Sequence, residues 1–183
     1  MSTPAPLRRQ LCSMLFADVV GFSKLKEEQA PSFFVSFLGA VARLIDEMGL
    51  KPLISNTWGD GLFIVYGDVT HAAGFASALV KMVAGTDWQA LGLPKDLSVR
   101  VGLHTGPVFA TQDPVIGKTN FFGSHVTRAA RIEPITSPGA VFLTEQAACM
   151  LVTTPGHAFR VEYVGRLPLA KSYGYEKLYK LIA

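Results

Sequence analysis

Apolar and polar positions follow two periods along this chain. Residues 11–19 form a short apolar run, the length of a buried strand, that delivers Asp18 to its C-terminal end; Gly21 then permits a tight turn. Over residues 31–48, Phe34, Leu38, Val41 and Ile45 recur every three or four positions. That spacing predicts a helix with one apolar stripe, Pro31 near its start and Gly49 just past its end. Strands at 53–57 and 62–66 flank Trp58-Gly59-Asp60-Gly61, a hairpin with a carboxylate at its tip. A second helix is predicted over 70–84, where Ala73, Ala76, Leu79, Val80 and Val83 supply a small-residue packing face.

The second half reads as a strand at 97–103, a turn at His104-Thr105-Gly106 and an antiparallel return at 107–110. A helix at 123–132, a strand at 140–143, a short helix opening at Thr144-Glu145 and final strands at 159–164 and 177–181 follow. The opening order is β-α-β-β-α-β with no internal repeat. It predicts an α+β fold, a mixed or antiparallel sheet with helices on one side.

Composition narrows the class. With 183 residues, 49% of them hydrophobic and 17% charged, the chain has the make-up of one ordered domain. The domain is expected over 11–183, behind an N-terminal extension at 1–10. Net charge is only +3 and the basic residues are scattered except for Arg8-Arg9, so a small nucleotide suits the chain and nucleic-acid binding is not expected. Cys12 and Cys149 lack disulfide or metal-cluster spacing and are expected to be core thiols. The first ten residues lack the apolar middle of a secretion signal, and no apolar run reaches the roughly 18 residues of a membrane span, so a cytoplasmic protein is expected.

Asp18 and Asp60 are the strongest candidates for chemistry. Each follows an apolar strand and lies beside a glycine turn, and neighbouring strand ends can bring two such carboxylates together. Mg²⁺ or Mn²⁺ could then be shared between protein and triphosphate oxygens. Val19-Val20-Gly21-Phe22-Ser23 forms a turn able to offer backbone N–H groups to phosphate, equally readable as a plain connection with Phe22 packed beneath it. In the late helix Thr127 and Arg131 are four residues apart and share a face. Arg131 can neutralise charge developing on a phosphate and Thr127 can donate a hydroxyl hydrogen bond, whereas Arg128 faces elsewhere. His104, after a strand, satisfies a turn or serves as a general base.

From Leu11 through Leu181 the chain resembles class III nucleotidyl cyclase catalytic domains. Phe16-Ala17-Asp18-Val19-Val20-Gly21-Phe22-Ser23 is similar to the family's first metal motif, Trp58-Gly59-Asp60 to its second, and Phe122-Gly123 with Val126-Thr127-Arg128-Ala129-Ala130-Arg131 to its late catalytic helix. The resemblance implies a ferredoxin-like palm with extra C-terminal strands. It implies two divalent ions per site, Mn²⁺ or Mg²⁺, on Asp18, Asp60 and the Val19 carbonyl. It also implies an antiparallel homodimer in which Arg131 of one subunit completes the site of the other.

Four positions depart from the family pattern. Asn56 and Asn120 stand where adenylyl-forming relatives carry the Lys and the Asp or Thr that read adenine; Thr127 replaces a catalytic Asn, and Ala170 replaces a triphosphate-binding Lys, leaving Lys171 or Arg166 to supply that charge. Together with residues 124–134 and 168–174, these departures resemble bacterial pyrimidine cyclases of antiphage signalling. That resemblance implies conversion of UTP to cyclic UMP, read by a separate effector. Phe16, Trp58 or Phe121 would narrow the base pocket, and Asn56 or Asn120 would read the base, with Lys171 on the triphosphate. Cytidylate cyclase, an atypical adenylate or guanylate cyclase, and an inactive nucleotide-binding module are the alternatives.

Overall fold

The computed structural model describes residues 8–182. The expected extension at 1–10 lies outside these except at its end, and Arg9 and Gln10 already belong to the first strand, β1 (Arg9–Val19). A continuous helix, α1, covers residues 30–48 and leads to the hairpin β2 (Ile54–Trp58) and β3 (Gly61–Tyr66). Helix α2 (Val69–Gly85), capped by Asp68 through the N–H groups of Thr70 and His71, returns to β4 (Val99–Gln112). β5 (Thr119–Phe122), α3 (Ser124–Ile132), β6 (Val141–Thr144), α4 (Glu145–Thr153), β7 (Arg160–Pro168) and β8 (Tyr175–Ile182) follow.

The strands form one sheet in the order β2-β3-β1-β4-β6-β8-β7, with β5 folded back on β4. The first four neighbours are antiparallel, β4 and β6 are parallel, and β6, β8 and β7 are antiparallel again. The mixed α+β sheet with a ferredoxin-like opening is therefore as expected. Two expectations about the sheet and its faces are corrected.

First, residues 104–106 are not a turn. β1 pairs with β4 without a break from Arg9 opposite Phe109 to Val19 opposite Val99. The polar triplet reads as a loop because its partners are remote in sequence: Thr105 Oγ1 lies 2.8 Å from Ser13 Oγ, and both ring nitrogens of His104 are hydrogen-bonded. The true return is β5, nine positions beyond the expected 107–110 segment's end.

Second, the helices occupy both faces. Leu15, Ala17 and Val19 point with Leu62, Ile64, Val101 and Leu103 into a core covered by α1, α2 and α4. Cys12 and Met14 point the other way, with Phe63, Val65 and Val108, against Ala129 of α3. The two glycines of β4 decide how close α3 comes. A Cβ on Gly102 would stand 2.7 Å from the Glu133 backbone nitrogen, and one on Gly106 would stand 2.2 Å from His125 Nδ1. Neither position has room for a side chain.

Smaller shifts have local causes. Residues 33–38 of α1 wind as a π-helix, whose wider turn moves the buried stripe to Phe33 and Phe37 and leaves Phe34 exposed at 70%. Cys12 is buried as expected, but Cys149 is on the surface.

Candidate active site

Asp18, the penultimate residue of β1, stands in register with Arg100 of β4. Arg100 Nη2 donates to Asp18 Oδ2 at 2.7 Å, and its Nε lies 2.9 Å from Glu133 Oε1 at the end of α3. Asp60 occupies the two-residue turn closed by Trp58 and Gly61, made possible by Gly59 at φ +61. Because β3 lies alongside β1, with Leu62 opposite Ala17, that turn brings Asp60 into hydrogen-bonding reach of Asp18. Burial first, then the bond and charge of Asp18, push the Asp60 carboxyl up to about 6, against the opposing N–H groups of Asp60 and Val19. Burial likewise pushes Glu133 up to about 7, while Arg100 pulls it down.

Two contacting carboxylates are hard oxygen donors that repel each other, and a divalent cation relieves that repulsion, so the pair fits such an ion. Among the described residues no group of three or more His, Cys, Asp or Glu could hold a metal alone. Arg100 was not anticipated. The available signal was a single cation within the otherwise apolar stretch 99–103, on the face opposite Val99 and Val101.

Beyond β1, Val20, Gly21 and Phe22 line a cavity of about 230 Å³ together with Lys24 and Leu97. Gly21 is left-handed at φ +78, and the Phe22 ring packs 4.7 Å from Phe33, which anchors this turn to the core. A second cavity, about 320 Å³, is lined by Asn56, Trp58, Asp113, Lys118 and Asn120. The structure therefore brings the two asparagines together. Of the aromatics expected there, Trp58 lines the cavity and is 65% exposed, whereas Phe121 is core and Phe16 stacks on Phe63 at 4.6 Å.

Helix α3 carries Thr127 and Arg131. Arg128 is tied to Glu176 of β8 at 2.9 Å, in keeping with a structural role, while Arg131 Nε is buried with no hydrogen-bond partner among the described residues. Further along, Lys171 and Ser172 are both left-handed, at φ 57 and φ 54, a conformation costing roughly 1–2 kcal/mol per residue. The Tyr173 hydroxyl donates to the Ser124 carbonyl at 3.3 Å and ties this turn to the start of α3. Arg166 instead lies over the Tyr175 ring at 5.4 Å, which leaves Lys171 the freer of the two expected cations.

His104 is fully buried in mid-strand, its Nδ1 2.8 Å from Thr144 Oγ1 and its Nε2 2.8 Å from His125 Nδ1. Burial, then His125 and Arg128, pull it down from 6.5 to about 3, so it stays neutral. The unfolded chain binds this proton more readily, so the stability from neutral His104 is complete above pH 6.5 and is lost as pH falls towards 3. Urea titrations at pH 7 and pH 5 should differ by about 2 kcal/mol on this account, and His104→Gln should flatten the difference.

The family described as the adenylate and guanylate cyclase catalytic domain matches residues 6–182. The chain is 29% identical over 143 residues to putative adenylate cyclase 3 of Rhizobium meliloti (strain 1021), covering 76% of this chain and 23% of that protein. It is 35% identical over 149 residues to an adenylate cyclase of Mycobacterium bovis, covering 73% of this chain and 32% of that one. It thus spans less than a third of the length of either relative. The crystal structure of the adenylyl cyclase CyaB from P. aeruginosa superposes with a TM-score of 0.80 at 17% identity, over 98% of this chain and 97% of that one, a likeness of fold. With the cyclase palm in place and a match along nearly its whole length, the chain belongs to the adenylate and guanylate cyclase catalytic domain family.

Proposed function

We propose that this chain is a divalent-metal-dependent uridylate cyclase, converting UTP to 3′,5′-cyclic UMP and diphosphate as a homodimer with sites at the subunit interface. The contact between Asp18 and Asp60 on a chain of this family carries the cyclase reading. Bound divalent ions would supply Lewis acidity and neutralise charge on the triphosphate. Asp18, Asp60 and the Val19 carbonyl would hold them, and the 20–22 turn would receive phosphate oxygens.

In the reaction the ribose O3′ forms a bond to the α-phosphorus. The bond from that phosphorus to the bridging oxygen breaks, its electron pair leaves with diphosphate, and the O3′ proton passes to solvent. Positioning dominates such an intramolecular transfer. Arg131, from the opposing subunit, meets the charge gathering at the α-phosphate, and Thr127 donates its hydroxyl to ribose or phosphate. Arg100, which donates to Asp18 here, would be available to a phosphate oxygen with that carboxylate holding an ion, and Lys171 would supply a further charge.

The uridine assignment is supported by Asn56 and Asn120 lining one cavity beside Trp58. The alternative of an atypical adenylate or guanylate cyclase is favoured by the names of the relatives. Incubating pure protein with each of the four nucleoside triphosphates and Mn²⁺, then resolving products by mass, separates these readings. Cyclic UMP is expected to dominate. A kcat/KM for UTP no higher than that for CTP would end the uridine assignment, and no cyclic product from any nucleotide would end the cyclase reading. The domain at 11–183, a cytoplasmic setting and a separate effector that reads the product in antiviral signalling complete the proposal. Among the described residues, no helix is long and apolar enough to cross a membrane.

A further inference from the structure

Helix α3 starts after Gly123, whose φ of +130 lies in a region that favours glycine, and among the described residues no side chain caps its first turn. Bonds to other elements therefore hold its start. On the surface the Tyr173 hydroxyl reaches the Ser124 carbonyl at 3.3 Å. Deeper in, the His125 ring lies in the notch left by Gly106, where a Cβ would stand 2.2 Å from its Nδ1, and that nitrogen is 2.8 Å from His104 Nε2. The two ring planes differ by 4° and their centroids are 5.1 Å apart, so this bond runs edge to edge along the rings rather than between stacked faces.

Its direction follows from the far end. Thr144, fully buried, caps α4 by accepting the Ala147 N–H at 3.3 Å, and its Oγ1 lies 2.8 Å from His104 Nδ1. Of these two partners only the ring nitrogen can accept, and among the described residues Thr144 Oγ1 has no other, so its hydroxyl donates and His104 Nδ1 carries no proton. Neutral His104 then holds its proton on Nε2 and donates it to His125 Nδ1. Burial, then Arg128 and Arg9, hold His125 below its ordinary 6.5 as well, which leaves that Nδ1 a free acceptor at neutral pH. Three side chains thus point one way, from the α4 cap through β4 into the first turn of α3. Breaking the last link strands a buried N–H on His104.

We infer that His125 is a positioning residue: the directed relay Thr144–His104–His125 fixes the start of α3 and, through it, the placement of Thr127 and Arg131. The catalytic consequence rests on the cyclase reading, whereas the relay and its hold on the helix do not. His125 does not touch the reacting atoms in this account. It sits two residues before Thr127, so the face it presents to β4 is not the one that carries Thr127 and Arg131.

Two variants separate positioning from bulk stability. His125→Leu fills the notch without an acceptor, whereas His125→Asn sets its Oδ1 close to where the Nδ1 acceptor stood. At pH 7.5 with Mn²⁺, kcat per folded protein should fall about tenfold to a hundredfold in His125→Leu, with KM within about twofold, because the misplaced groups act in the transition state while triphosphate and ions rest on β1 and the hairpin turn. His125→Asn should recover kcat to within about threefold of the wild type. Amide hydrogen exchange should speed up about tenfold or more over residues 124–132 in His125→Leu and little elsewhere. Imidazole ¹⁵N NMR of the wild type should find the His104 proton on Nε2, a readout that needs no variant to fold. A His104 proton on Nδ1, a leucine variant with wild-type kcat, a loss through KM alone, or an asparagine variant as impaired as the leucine one overturns the inference and leaves the cyclase reading standing. If the wild type cyclises no nucleotide, the cyclase reading fails and the exchange and NMR results decide the relay; unchanged exchange over 124–132 overturns it.

Discussion

Asp60→Ala should lower cyclic-nucleotide formation by at least about a thousandfold, because it removes one of two carboxylates on which divalent ions would rest and metal polarisation is worth several kcal/mol in such a transfer. The fold should survive. The folded-state affinity of Asp60 for its proton lies above that of the unfolded chain, about 6 against 3.8, so its ionisation weakens the native state as pH rises through that window. Removing the carboxyl relieves that burden, and the melting temperature at pH 7.5 in metal-free buffer should hold or rise. Mn²⁺ should raise the melting point of the wild type, and this rise should vanish in the variant. A variant that keeps more than a few per cent of activity, or still gains the Mn²⁺ stabilisation, would remove Asp60 from the metal site. Asp18→Ala is the less clean experiment, since it also strips Arg100 of its 2.7 Å partner and leaves that guanidinium with Glu133 and the Pro134 carbonyl.

Mixing two inactive variants should restore activity. If each site takes its carboxylates from one subunit and Arg131 from the other, an Asp60→Ala and Arg131→Ala heterodimer holds one intact site and one doubly broken site. Random exchange makes half the dimers heterodimers, so the mixture should reach about a quarter of wild-type activity per total protein. The buried Arg131 Nε, without a hydrogen-bond partner among the described residues, motivates the test. Heterodimers shown by mass to form, yet without cyclic product, would confine each site to one chain.

What could be read from residue order alone was local. Asp18 and Asp60 stood out because a carboxylate between an apolar run and a glycine is a short-range pattern, the helix at 70–84 announced itself through its spaced apolar residues, and the one at 123–132 was also expected. Their observed bounds, Val69–Gly85 and Ser124–Ile132, differ by a residue at each end or less. Local spacing failed where a partner lay far along the chain. His104 and Thr105 look like loop residues until Thr144, His125 and Ser13 supply their hydrogen bonds, and the Phe34 stripe fails because the π-helical turn at 33–38 shifts its phase.

The apolar run at 11–19 and the strand pattern at 97–103 were sufficient to assign strands there, and they could not say that both faces would be covered, because Gly102 and Gly106 reveal their purpose only when α3 lies against them. The same limit applies at the candidate site. Sequence identified two carboxylates and two asparagines; tertiary structure alone set Arg100 on Asp18 and bonded the Asn120 amide to Asp113. Hydrogen bonds and ion pairs depend on distance and direction in space, and the Asp18–Arg100 pair spans 82 residues of chain.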